Sequence, residues 1–158
     1  MDQNLNQDLN KKLIKTSYNL ALKYLAYQPR TILQMENYIK SKGYDDSVVK
    51  KVVEILLEKN YLNDEEYAKL YLETKTKYKP KAKFALRYEL LQKGINPLFA
   101  DNALDEYDDY DLAYKALELK MKIWRNIDAK KLKKKVLNFL KYKGFNYEVS
   151  LAAFDKLL

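Results

Sequence analysis

A Lys-Gly dipeptide recurs along this chain at a nearly constant period. Gly43, Gly94 and Gly144 lie 51 and 50 residues apart, and each follows a lysine. An apolar residue lies four positions before each glycine, and an apolar residue and then a helix-capping residue type follow it. Glycine at the end of a helical pattern is typical of a left-handed helix cap. The period therefore predicts three tandem units of similar structure.

Each unit carries three amphipathic patterns, separated by capping residues and helix breakers. Thr31 and Gln34 form a capping-box pattern, Pro29 and Pro80 interrupt helical patterns, and Pro97 falls at a first helical position. A single unit of this size buries little surface, so the units are expected to stack. The predicted fold is all-α, with three tandem three-helix repeats forming an elongated, curved helical array. The expected helices span residues 17–27, 31–42, 46–59, 64–77, 82–93, 97–107, 109–124, 129–142 and 147–157.

The expected boundaries place the three repeats at residues 17–60, 61–108 and 109–158. Residues 1–16 are polar with scattered leucine and isoleucine. We expect this segment to be either a frayed lead-in helix or the remainder of a larger N-terminal segment.

Several apolar residues are expected to face the interior. The single tryptophan, Trp124, is expected at the end of the first helix of the third repeat, in the core rather than on a surface where bases stack. The middle repeat carries two apolar stripes, made of Tyr67, Leu70 and Tyr71 in its first helix and of Phe84, Leu86, Leu90 and Leu91 in its second.

The residue inventory excludes many kinds of active site. The 158 residues include no Cys and no His, which removes the thiolate nucleophiles, the usual general base and the commonest metal ligands. Acidic residues cluster between Asp101 and Asp111, but they lack the central glycine and the ligand spacing of a calcium loop. Helix capping and a solvated surface are the favoured interpretation of this cluster. We expect no catalytic residue, no bound metal and no cofactor.

The apolar runs are far too short to span a membrane. A cysteine-free chain without such a run fits the reducing cytoplasm.

Positive charge is concentrated in two stretches of a chain whose formal net charge is +8. Residues 75–93 hold seven basic residues against Glu89, and residues 120–143 hold ten against Asp128. Such stretches either keep a helical array soluble or bind phosphates or an acidic protein, and their recurrence in two consecutive units favours binding. Equivalent helices of a tandem array lie on the same side, so the two stretches are expected to form one surface. The candidate contact residues are Lys75, Lys77, Lys79, Lys81, Lys83, Arg87, Lys130, Lys131, Lys134, Lys135 and Lys141.

A set of short motifs stands in the middle of the chain and upstream of it. They are Tyr61-Leu62-Asn63-Asp64, Tyr67-Ala68, Glu89-Leu90 and Lys93-Gly94-Ile95, with Ala21-Leu22-Lys23-Tyr24-Leu25-Ala26 and Pro29-Arg30-Thr31 upstream. With these motifs the chain resembles the RecX family, the bacterial modulators of the RecA recombinase. The family usually has Gly-Pro where Ala82-Lys83 stands here, and its longer members carry an N-terminal strand hairpin that we expect to be absent or cut away in this chain.

The resemblance implies tandem three-helix repeats and a non-enzymatic role. A RecX-like protein binds in the groove of the RecA–DNA filament and limits its extension or activity. The resemblance thus implies modulation of RecA, with inhibition as the expected direction, in homologous recombination and DNA repair as part of the SOS response, and some affinity for single- or double-stranded DNA. The expected partners are therefore the RecA filament and DNA, and the expected state is a monomer. Two other possibilities stay open at this point: a general DNA-binding helical repeat protein without RecA specificity, and a protein-interaction scaffold.

Overall fold

Helices account for most of the chain. The computed structural model describes residues 2–158, which contain nine α-helices and no strand. The predicted all-α fold of three-helix repeats is confirmed, whereas the exact repeat boundaries stay a prediction. The helices are α1 (Asp2–Tyr27), α2 (Ile32–Ser41), α3 (Asp46–Glu58), α4 (Asp64–Tyr78), α5 (Lys83–Gln92), α6 (Pro97–Leu104), α7 (Asp109–Met121), α8 (Ala129–Tyr142) and α9 (Tyr147–Leu157).

The helix starts follow the capping residues in the sequence. Thr31 and Gln34 form both hydrogen bonds of a capping box at the start of α2. Asp45 caps α3 by accepting the backbone N–H of Val48, and Asn146 caps α9 in the same way. Such caps satisfy N–H groups that have no partner inside the helix, so they fix where each helix begins.

Three helix limits differ from the expected ones by more than one residue. Helix α1 begins at Asp2, so the described part of the lead-in segment is helical; Met1 lies outside the described residues. Helix α6 ends at Leu104 rather than at residue 107, and Asp108 adopts an extended conformation and caps α7. Helix α7 ends at Met121 rather than at residue 124, and a tight turn follows in which Ile123 N–H donates to the carbonyl oxygen of Lys120.

Two residues that were expected in the interior are exposed. Leu70 is 43% exposed and Phe84 is 67% exposed, so these predictions were wrong. The fully buried positions of α4 are Ala68 and Leu72, and those of α5 are Leu86 and Leu90. Each of these pairs is four residues apart, on one helix face. Leu70 and Phe84 lie two residues away from a buried position and so point away from it.

The chain divides into two compact units. The first holds residues 2–67 and Lys93–Ile95, and the second holds Ala68–Gln92 and Asn96–Leu158. The first unit also has an aromatic cluster, in which Tyr24 stacks on Tyr38 with ring centroids 4.0 Å apart. Its core is built from Ala21, Met35, Ile39, Val48, Val49, Val52, Val53, Leu56 and Leu62.

The second unit is filled by small and branched side chains from five complete helices and part of α4. Its fully buried large side chains are Leu72, Leu86, Leu90, Leu117, Val136 and Leu140.

The three glycines of the Lys-Gly pairs occupy equivalent positions. Gly43, Gly94 and Gly144 follow α2, α5 and α8, and their φ angles are +92°, +89° and +97°. The predicted left-handed helix ends are thus confirmed.

Two of these turns are also contact points within their compact units. The Thr31 hydroxyl, at the start of α2, donates to the Lys93 carbonyl oxygen (2.7 Å). At the start of α5, the backbone N–H of Ala82 donates to the Lys143 carbonyl oxygen (3.1 Å).

Aspartates at the starts of α4 and α7 complete the same arrangement. Asp64 accepts the N–H of Ile32 at 2.9 Å, and Asp109 accepts the N–H of Lys83 at 2.8 Å. The starts of α2 and α5 are therefore held by matching sets of partners.

Candidate nucleic-acid interface

The lysines of α8 lie on its solvent side. Val136 and Leu140 are buried, and Leu132 and Phe139 are half-buried, which defines the inner face of the helix. The predicted contact lysines of this helix are exposed. They are Lys130, Lys131, Lys134, Lys135 and Lys141.

The basic residues around α5 are less uniform. Lys77 and Lys79 are exposed, whereas Lys75, Lys81 and Lys83 are half-buried. A half-buried lysine must arrange its ammonium group among neighbouring side chains, so it is less free to move than an exposed one.

Two of the predicted contact residues already have carboxylate partners. Lys81 Nζ lies 2.6 Å from Glu89 Oε1, and the two side chains are 32% and 21% exposed. Arg87 Nε donates to Asp101 Oδ1 at 2.7 Å. These two cations are therefore less available to a phosphate than the unpaired lysines of α8.

A groove in the second unit brings together lysines from three segments. Lys79 follows α4, Lys120 lies in the last turn of α7, and Lys143 follows α8. We call this feature the lysine groove; it is defined by Lys79, Lys120 and Lys143 around Tyr78, Ile123 and Phe139, and its cavity measures about 310 Å³. No acidic residue lines it.

The ammonium groups around the groove repel one another. Burial, and then the positive charges of Lys81, Lys120, Lys79 and Lys75, hold the pKa of Lys143 below its ordinary value. An anion placed among these lysines would relieve that repulsion.

Glu89 is the carboxylate beside this group of lysines. Burial alone would raise the pKa of Glu89, but hydrogen bonds from Lys81 and Tyr71 outweigh it, and the pKa lies below its ordinary value. Its two carboxylate oxygens are already engaged at 2.6 and 2.7 Å. Glu89 therefore neutralises Lys81 and leaves the groove positive.

Aromatic rings accompany the lysines. Trp124 is half-buried rather than in the core, and its ring meets Phe139 edge-on at 5.5 Å. Lys120 Nζ and Lys135 Nζ lie 5.4 and 4.9 Å from the Trp124 ring centroid. The expectation of a core position was wrong because the chain turns after Met121 and places the ring at the surface, between two lysines.

The structure adds two residues to the predicted set, Lys120 and Lys143. Both fall in the second basic stretch, but neither is among the candidate contact residues. In the sequence, Lys143 is marked by its place in the third Lys-Gly pair. The turn formed by that pair contacts Ala82, which brings Lys143 near Lys79. Lys120 carries no comparable signal in the sequence.

The acidic cluster serves to hold the helices. Asp101 pairs with Arg87, Asp108 caps α7, and Asp109 accepts the backbone N–H of Lys83. Within residues 2–158, no group of His, Cys, Asp or Glu side chains is arranged to hold a metal ion. No helix in the same range is both long and apolar enough to cross a lipid bilayer.

Fold and surface together define a class: a basic, all-helical protein built from tandem three-helix domains. Comparison with known proteins refines this class. The models of three RecX domains match in chain order: the first three-helix domain at residues 18–56, the second at 63–104 and the third at 106–154. The chain belongs to the RecX family.

Individual relatives agree with this assignment. Regulatory protein RecX of Bacillus cytotoxicus is 31% identical over 147 residues, which cover 91% of this chain and 54% of the relative. Regulatory protein RecX of Streptococcus uberis is 31% identical over 142 residues, covering 88% and 55%. The chain thus spans about half the length of the curated relatives it matches.

Solved structures of the family have the same fold. The crystal structure of RecX from Lactobacillus salivarius matches with a TM-score of 0.76 and 25% identity, over 93% of this chain and 97% of that one. A second crystal structure, of regulatory protein RecX, matches with a TM-score of 0.79 and 25% identity, over 98% and 78%.

Proposed function

We propose that this chain binds the filament that the RecA recombinase forms on DNA and inhibits RecA, and so regulates homologous recombination and DNA repair. The supporting observation is the match of three RecX domains in chain order across residues 18–154. A chain that retains all three domains retains the surfaces that these domains carry. The site of action is the cytoplasm, where RecA filaments assemble, and the acting species is a monomer.

The basic surface supplies the contact with the filament. Exposed lysines form favourable contacts with DNA phosphates, and the release of counterions drives such binding. On α8 the lysines lie clear of the buried face, so they can reach a partner without any rearrangement of the core. The contact surface consists of lysines from two parts of the chain. Those of α8 are Lys130, Lys131, Lys134, Lys135 and Lys141, and those between the last turns of α4 and the start of α5 are Lys75, Lys77, Lys79 and Lys83.

The two remaining candidate contact residues are held in ion pairs, which makes them less available to a phosphate. Lys81 and Arg87 are held by Glu89 and Asp101, so a phosphate would have to compete with a carboxylate for them. We therefore assign these two residues a smaller share of the contact than the α8 lysines.

General DNA binding without RecA specificity is the second candidate function. It is favoured by the exposure of the α8 lysines, because an unpaired basic surface binds any nucleic acid backbone. Under this alternative, bare DNA and the RecA filament would bind the chain equally well at a given salt concentration.

Co-sedimentation separates the two functions. The chain is mixed with RecA filaments assembled on single-stranded DNA, with the same DNA alone and with RecA alone, at physiological salt. Recovery with the filament well above recovery with bare DNA supports the proposed function. Equal recovery with filament and bare DNA establishes the general DNA-binding function instead.

A further inference from the structure

We propose that the lysine groove binds the backbone of single-stranded DNA, with a base lying against its apolar wall. The inference rests on the proposed function in that the filament supplies the DNA. It adds a specific site, because Lys120 and Lys143 are not among the candidate contact residues chosen from the sequence. It also restricts the DNA to an unpaired strand.

The lysine groove is positively charged. Lys79, Lys120 and Lys143 converge on one cavity with no acidic residue in its lining. Lys75 adds to the positive charge that Lys143 experiences. Glu89 is the nearby carboxylate, and it is taken up by Lys81 and Tyr71. A partly desolvated cation in such surroundings forms stronger hydrogen bonds with an anion than an exposed lysine does.

One side of the lysine groove is an apolar wall made of Tyr78, Ile123 and Phe139. Tyr78 is 65% exposed and Ile123 is 72% exposed, and both line the cavity beside the ring of Phe139. Aromatic side chains next to lysines are the arrangement that binds unpaired bases, because every base has an aromatic face, and Tyr78 supplies such an exposed ring. In duplex DNA the bases are stacked inside the helix, so this wall would have no partner.

The cavity of the lysine groove has the volume of a small binding site. A cavity of about 310 Å³ lies at the lower end of the roughly 300–1,000 Å³ range of small-molecule sites. It is therefore large enough for a base or a phosphate group, and an extended strand can follow the lysines beyond it. An acidic peptide would form ion pairs with the lysines, but it would leave the apolar wall without a stacking contact.

Trp124 provides a direct signal for binding. It is the single tryptophan of the chain, and its ring centroid lies 5.4 Å from the Nζ of Lys120, a residue that lines the groove. Titration with a short oligothymidylate, with selective excitation of tryptophan, should change the Trp124 emission. The titration is repeated at several salt concentrations to give the slope of log affinity against log salt.

The test variant is K79Q/K120Q/K143Q. It removes the three groove charges and leaves the Lys143 backbone carbonyl free to accept from Ala82. Each lost phosphate contact should reduce the salt slope by about 0.7 for a single strand, so the variant should lose about two units of slope. The matched control is K11Q/K12Q/K15Q, which removes the same charge from exposed positions on α1. Circular dichroism of each variant establishes that the helices are retained.

The expected result is a weaker and less salt-dependent interaction for the groove variant, with the control at the parental slope. An unchanged slope in the groove variant, or an equal loss in the control, overturns the proposal. Displacement of the oligonucleotide by polyglutamate of equal charge also overturns it, because the apolar wall would then contribute nothing. Equal affinity of the parent for single-stranded and duplex DNA overturns the restriction to an unpaired strand.

The parent and the groove variant are also sedimented with RecA filaments, which tests the proposed function separately. A parent that binds the oligonucleotide through the groove but does not sediment with filaments refutes the proposed function and supports the groove. A parent that sediments with filaments while the groove variant keeps its oligonucleotide affinity supports the function and refutes the groove.

Discussion

The hydroxyl of Thr31 donates a 2.7 Å hydrogen bond to the carbonyl oxygen of Lys93, 62 residues later in the chain. The corresponding contact in the second unit joins the backbone N–H of Ala82 to the carbonyl oxygen of Lys143 at 3.1 Å. The residue just before α2 thus contacts the Lys-Gly turn after α5. The residue just before α5 contacts the Lys-Gly turn after α8 in the same way. The Lys-Gly turns at Lys93 and Lys143 therefore accept equivalent hydrogen bonds.

Replacing Thr31 with Ala should destabilise the protein by about 2–3 kcal/mol. Thr31 is fully buried, caps α2 and satisfies the Lys93 carbonyl, so the change removes a cap and leaves a hydrogen bond unmade. T31S keeps the hydroxyl and should lose less than about 1 kcal/mol. Urea unfolding of the two variants gives the comparison, and equal losses would show that the hydroxyl is unimportant.

The three glycines should differ in their tolerance of alanine. At Gly94 a Cβ would lie 2.5 Å from Leu33 Cβ, whereas at Gly43 it would meet nothing within 4 Å. Both changes strain a left-handed backbone by about 1 kcal/mol, and G94A adds about 1–3 kcal/mol of overpacking. At Gly144 the nearest atom, 3.0 Å away, belongs to the exposed ring of Phe84, which can move. Thermal unfolding should therefore rank G94A as the most damaging change and G43A as the least.

A loss in G43A equal to that in G94A would contradict the role assigned to the Leu33 contact. The backbone strain common to both positions would then account for the whole effect.

The ion pair at Glu89 should make stability depend on pH. The pKa of Glu89 is lowered in the folded protein, so its stabilising contribution is present above the ordinary glutamate pKa and is lost as the pH falls through the folded value. At neutral pH, E89Q should cost about 1 kcal/mol, and the difference from the parent should vanish in acid. E54Q is the control, because Glu54 and Lys51 are 3.8 Å apart and both exposed, and it should have little effect at any pH. Urea unfolding across the pH range tests both variants; a constant E89Q deficit would exclude an ionic origin.

Charge reversal on α8 should separate binding from folding. Lys131, Lys134 and Lys135 are exposed, so K131E/K134E/K135E should retain the parental helix content and nearly the parental melting temperature. The same variant should bind RecA filaments much more weakly in co-sedimentation at physiological salt, because three phosphate contacts become repulsive. Parental binding by a folded triple mutant would leave these lysines with the role of keeping the protein soluble.

Local signals in the sequence predict much of this fold. The Lys-Gly period, the capping box at Thr31 and the caps at Asp45 and Asn146 each depend on residues within a few positions of one another. Their physical causes are local, namely backbone N–H groups that need an acceptor and a left-handed position that favours glycine. These features are all confirmed.

The features that the sequence did not reveal depend on contacts between distant residues. Trp124 is half-buried rather than in the core because α7 ends at Met121, and its ring packs edge-on against Phe139 of α8. Lys143 lies near Lys79 because the turn after α8 is bonded to Ala82. Counting charges along the chain located both basic stretches, but it could not show that Lys81 and Arg87 are already paired or that Lys120 faces the groove.

RecA-catalysed strand exchange, with the chain added below the RecA concentration, is the most direct test of the proposed regulation. A RecA inhibitor that acts on the filament should slow exchange in proportion to the chain bound, and K131E/K134E/K135E should slow it less. The control K11Q/K12Q/K15Q should inhibit like the parent. Exchange that proceeds at its full rate, under conditions where the parent chain is folded and in excess over filament ends, would contradict the proposal that this chain inhibits RecA.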